Sequence, residues 1–159
     1  MAIILIQYIK RGAWMNTIGL IQKEHGTIKS ILREFKKELV SLVQYERVDK
    51  VMWAICLAFI SENIIKFHHL REREIIMCYK MEPKYKKYEE MINSIAERHE
   101  LIECYYDRLL EYWIYYQNGQ SLARFNIMEE GEGMLLLMEI TMAMEEKLFN
   151  LTRNECIVK

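Results

Sequence analysis

Proline occurs once and glycine six times in 159 residues, so few positions can interrupt a helix, and a fold of many short strands and tight turns is excluded. The four cysteines, Cys56, Cys78, Cys104 and Cys156, contain no CxxC spacing. They read as reduced thiols, which places the chain in the cytoplasm. An excess of one charge is also missing: the formal net charge is −1, and lysine and arginine alternate with glutamate and aspartate instead of forming a basic stripe. Nucleic acid is therefore not an expected partner. No uninterrupted apolar run reaches the length of a bilayer span, and the apolar stretch Ala2 to Ile9 has neither a basic segment before it nor a small-residue cleavage pattern after it. Neither a membrane partner nor a signal peptide is expected.

Hydrophobic residues make up 52% and charged residues 28% of the chain, the balance of one globular domain with a large core. Apolar positions recur three and four apart almost throughout, which predicts an all-α protein. A first helix is expected from about Thr17 to Val43, a second from Val48 to Lys80, a third from Pro83 to Gln117 and a fourth from Ser121 to Leu151. Pro83 suits a first helical turn, and Asn118 and Gly119 stop the third helix. Gly131 and Gly133 mark a weak point or break in the fourth. Four amphipathic helices with short connections predict an up-down-up-down four-helix bundle over residues 17–159, preceded by a short N-terminal extension, residues 1–16.

Only four histidines occur, and His25, His68 and His99 fall on the apolar stripes of three different helices. Glu72 follows His68, and Glu103 follows His99, by one helical turn, so each imidazole shares a side of its helix with a carboxylate. Winding at roughly 100° per residue points His68 inward with Leu57, Ile64 and Ile75 and turns neighbouring His69 toward the edge near Glu62 and Arg73. The same winding sets Glu145 among Met134, Met138, Thr141 and Leu148, apart from the polar Glu132, Glu139 and Glu146. A lone histidine on an apolar face is usually a hydrogen-bonded core residue. Three histidines and three carboxylates on four inward faces each need a separate excuse under that reading, whereas one shared metal centre satisfies all of them. Met134, Met138, Met142 and Met144 read as adaptable core packing, and Tyr79 and Tyr106 point near the proposed centre.

These residues resemble the hemerythrin-like, HHE cation-binding family. Gln22-Lys23-Glu24-His25 is similar to its first-helix motif, Phe67-His68-His69-Leu70-Arg71-Glu72 to its second-helix HHxxE element, and Glu97-Arg98-His99-Glu100 to its third-helix motif. The resemblance spans Thr17 to Phe149. It implies a bundle holding a non-heme iron pair, bridged by carboxylates and an oxygen species, that binds or reacts with dioxygen, with His25, His68, Glu72 and His99 as iron ligands. Two departures stand out. Glu103 occupies a place where some members carry a further histidine, and the fourth helix has Thr141 one turn before Glu145 where the family offers histidine followed by glutamate.

The expected ligand set is thus His25, His68, Glu72, His99, Glu103 and Glu145: terminal imidazoles, bridging Glu72 and Glu145, and Glu103 either terminal or outside the ligand shell. Tyr79 or Tyr106 would donate a hydrogen bond to a bound oxygen species. The expected cofactor is iron, two ions per chain, with one iron or manganese as alternatives. Exchanging imidazole for carboxylate hardens the site, favouring ferric iron and suiting manganese better than copper. Dioxygen, peroxide or a similar small ligand is the expected partner, in sensing, binding or redox chemistry; no organic substrate is indicated. The alternative is a metal-free bundle serving as an interaction or regulatory module.

Overall fold

The computed structural model describes the backbone of residues 2–157 and the side chains of residues 16–153. Four long helices and no strand occur among the described residues: α1 (Ala2–Tyr45), α2 (Lys50–Met81), α3 (Glu89–Gln117) and α4 (Ala123–Ile157). The backbone of the expected N-terminal extension continues α1 without a break from Ala2, and most of its side chains lie outside the described residues. Helices α1 and α4, α3 and α4, α1 and α2, and α2 and α3 pack against each other.

The ends of the helices follow from their sequence. Asp49 caps α2, its Oδ1 accepting from the N–H groups of Val51 and Met52 at 2.9 and 3.1 Å, so two of the unpaired first-turn donors are satisfied. Pro83 opens a 3₁₀ turn, Pro83–Tyr88, leading into α3. Gly119, at φ +91°, reverses the chain after α3, a conformation open to a residue without Cβ.

The expected break in α4 is absent. Gly131 and Gly133 lie within continuous helix, and their role is close approach. A Cβ on Gly131 would come within 2.7 Å of the Leu39 side chain on α1, and one on Gly133 within 2.5 Å of the Tyr105 ring on α3.

Helix α2 departs from regular α geometry in the middle, where Ile60–His68 is a π-helical segment and the His69 N–H reaches back to the Ile64 carbonyl. A helix in phase with buried Trp53, Leu57 and Ile60 would, at about 3.6 residues per turn, next bring Ile64, Phe67 and Arg71 to the core. The wider turn delays the phase by one residue. Phe67 is 55% exposed, and His68, His69, Glu72, Ile75, Ile76 and Tyr79 are buried instead. By length and composition α2 is also apolar enough to cross a bilayer, with a mean hydropathy of 1.3, contrary to the expectation from uninterrupted runs. Its buried histidines and glutamate pack against the other three helices.

Two apolar clusters fill the interior. One contains Ile28, Phe35, Leu39, Trp53, Ile60, Ile64, Ile102, Leu109, Ile127 and Met138; the other contains Ile18, Ile21, Ile75, Tyr79, Tyr85, Ile92, Ile95 and Phe149. In every helix buried polar residues stand between the two clusters: His25 in α1, His68, His69 and Glu72 in α2, His99 in α3 and Glu145 in α4.

Candidate metal centre

Six ionisable side chains meet at that level, His25, His68, His69, Glu72, His99 and Glu145, none more than 3% exposed. Glu72 sits in the middle. Its Oε1 lies 2.9 Å from His68 Nε2 and 3.5 Å from His25 Nε2, and its Oε2 lies 3.1 Å from His99 Nε2. Glu145 joins from α4, with Oε2 3.3 Å from His25 Nε2 and Oε1 2.8 Å from His99 Nε2. The donor atoms fall into two groups able to hold an ion, His25 with His68, Glu72 and Glu145, and His69 with Glu72 and His99. Glu72 belongs to both.

A second layer of carboxylates holds the outer nitrogens. Glu24 of α1 takes His68 Nδ1 at 2.8 Å and is clamped by Arg71; Glu146 of α4 takes His25 Nδ1 at 3.2 Å and is held by Lys29 at 3.1 Å. Glu103 of α3 faces His69 Nδ1 at 3.6 Å and pairs with Arg73. A carboxylate on Nδ1 favours the tautomer protonated there, which leaves the Nε2 lone pair aimed inward. Consistently, His25 Nε2, His68 Nε2 and both Glu72 oxygens make no hydrogen bond despite their close neighbours. Buried lone pairs facing one another without a donor are costly, and a cation between them removes that cost.

The electrostatics describe what protons do in place of an ion. Burial raises the Glu72 carboxyl, yet the imidazoles of His25, His68 and His99 beside it outweigh that and hold the group well below the usual range. Burial and the negative charge of Glu72 push Glu145 well above it. Burial disfavours charge on His25 and His68 too, but contacts with Glu145 and Glu72 bring His25 up to about 9, and Glu72 and Glu24 raise His68. His69, lowered to about 4 by burial and by neighbouring His99 and His68, stays neutral. The metal-free centre thus favours protons on Glu145, His25 and His68, and an ion entering it displaces protons.

Beside the cluster lies a small cavity of about 10 Å³, walled by Ile28, Ile64, Ile102, Met138, Thr141 and Met142 together with His68, His69, Glu72, His99 and Glu145. That is room for one water-sized ligand. The Thr141 hydroxyl donates to the Leu137 carbonyl at 2.7 Å, leaving no imidazole from α4 on this wall.

Of the residues expected at the centre, His25, His68, Glu72, His99 and Glu145 converge, and Glu103 stands outside both donor groups. Both tyrosines are engaged elsewhere. The Tyr79 hydroxyl is hydrogen-bonded to Thr152 Oγ1 at 2.8 Å, within the cluster around Ile18 and Ile92, and Tyr106 donates to the Leu57 carbonyl at 2.9 Å; neither lines the cavity. His69, expected toward the edge near Glu62 and Arg73, is buried and belongs to the second donor group. Uniform helical winding misses it because the π-helical segment carries it inward. No family model, curated protein or solved structure matches the chain.

Proposed function

We propose that the chain is a hemerythrin-like non-heme iron protein, an up-down-up-down bundle that holds two iron ions at the His/Glu cluster and binds or reacts with dioxygen or peroxide. The single observation that carries this is Glu72, a fully buried carboxylate shared by two overlapping donor groups, with each of its oxygens facing different histidines. A carboxylate so placed suits a bridge between two ions, with His25, His68 and Glu145 holding one and His69 and His99 the other. Iron held there would supply redox chemistry and affinity for small oxygen ligands; the buried residues exclude bulk water and leave the cavity beside Thr141 for the ligand.

The alternating topology draws support from the order of the clusters along each helix. In α1 and α3 the Ile18 and Ile92 cluster precedes the centre, and in α2 and α4 it follows, with Ile75 and Phe149. The all-oxygen and imidazole donor set, without a thiolate, fits iron or manganese better than copper(I).

Anaerobic reconstitution with ferrous iron, desalting and elemental analysis tests the reading. Two irons per chain is the expected result. One per chain points to a mononuclear site, and less than one per several chains leaves the metal-free interaction module as the function.

A further inference from the structure

Resting on the reading of the cluster as an iron centre, we propose that Met138 and Met142 form a built-in oxidation site, which takes up an oxygen atom when hydrogen peroxide enters the cavity. Helix α4 turns Met134, Met138 and Met142 inward on successive turns, and all three are buried. Met138 and Met142 line the cavity beside His69, Glu72, His99 and Glu145, and Met134 does not. Their thioethers are the oxidisable groups on a wall otherwise made of isoleucines, a threonine and the donor residues. Cys78 and Cys104 are exposed, and Cys56 lies buried in the cluster around Trp53.

The step balances without a further reactant. A sulfur lone pair attacks one peroxide oxygen, the S–O bond forms as the O–O bond breaks, and the second oxygen leaves as water with both protons. Sulfur loses two electrons and the peroxide gains them. The product is a polar sulfoxide in place of an apolar thioether. One added oxygen is about what the cavity can hold, and it crowds the isoleucines of a wall whose one hydroxyl, on Thr141, is already donated to Leu137. Oxidation therefore loosens the packing of α4 against the centre, so exposure to peroxide is written into the bundle.

Burial ordinarily protects methionine, which makes the order of modification diagnostic. Met77 and Met81 are 57% and 77% exposed and serve as the outer reference; buried Met134 serves as the inner one. Iron-loaded protein, oxidised in air and cleared of free iron, and chelator-stripped protein each receive one equivalent of hydrogen peroxide, and the added sulfoxide at every methionine is read by peptide mass spectrometry. With iron, whose affinity for small oxygen ligands would hold peroxide in the cavity, Met138 and Met142 are expected to lead Met77 and Met81 and to exceed Met134 at least tenfold; without iron, Met77 and Met81 lead. Met138→Leu, a volume-conserving exchange, should move the modification to Met142. The proposal is overturned if Met77 and Met81 lead in the iron-loaded protein, or if Met134 is modified as fast as Met138. Iron content measured on the same sample separates this failure from failure of the metal reading, since protein that holds no iron overturns both.

Discussion

The imidazole rings of His69 and His99 stack face to face, 4.2 Å between centroids and 15° between planes. One ring comes from α2 and the other from α3, and their contact fixes the register of the two helices at the centre. Two imidazoles so close cannot comfortably both carry charge, which is one reason His69 stays neutral and keeps a lone pair for an ion.

If the two donor groups hold separate ions, removing one imidazole should empty one position only. His69→Ala is expected to lower the iron content from two per chain to one, and His25→Ala to do so at the other position. Elemental analysis of both variants after identical reconstitution checks this, and two irons retained in His69→Ala would exclude His69 as a ligand.

The π-helical segment sets the phase of everything after it in α2. Deleting exposed Asn63 takes the extra residue out of the wide turn and should allow a regular α-helix in which His68 and Glu72 keep their inward phase, whereas inserting an alanine after Asn63 should rotate them away by about 100°. Far-UV circular dichroism should show helix content close to that of the parent in both, with iron retained in the deletion variant and lost in the insertion variant. Full iron occupancy in the insertion variant would show that the phase of α2 does not position the site.

The outer carboxylates should tune affinity without touching an ion. Glu24→Gln keeps the shape of the side chain but weakens the charged hydrogen bond to His68 Nδ1. Loss of such a partner costs roughly 10- to 100-fold in metal affinity. Competition against a chelator of known affinity measures the shift, with iron stoichiometry expected to stay the same.

Metal-free protein should lose stability toward both ends of the pH range. The folded-state value of His25 is raised from 6.5 to about 9, so its contribution is fully present below pH 6.5 and is lost as pH rises through about 9. His69 is lowered from 6.5 to about 4, so its contribution is present above pH 6.5 and is lost as pH falls through about 4. Urea midpoints of chelator-treated protein between pH 4 and 9.5 should trace a maximum; a flat profile on the alkaline side would contradict the assignment for His25.

Glycines in continuous helix divide by what surrounds them. Gly19→Ala meets nothing within 4 Å and should stabilise by up to about 1 kcal/mol through helix propensity. Gly131→Ala drives a methyl group into Leu39 and should destabilise by about 1–3 kcal/mol through overpacking. Paired denaturant titrations distinguish the two signs.

The helical class and the inward position of most site residues were legible in the sequence because amphipathic periodicity is local. His25, His68, Glu72, His99 and Glu145 each stand among apolar neighbours spaced three or four apart, and burial follows from that spacing. Regular periodicity failed at Ile60–His68, where an added residue in the turn rotates all that follows. It also failed for Tyr79 and Tyr106, since a wheel gives a direction but not the partner a hydroxyl finds on another helix.

By itself, then, the sequence determined four amphipathic helices and a set of polar side chains that could not be buried singly. Tertiary structure decided how they combine. It brought His69 in beside His99, put Glu72 between two donor groups, and placed Glu24, Glu103 and Glu146 behind imidazoles of neighbouring helices. The physical reason is that a helix specifies its faces through nearby residues, whereas the phase shift in α2 and the pairings between helices depend on contacts between distant parts of the chain.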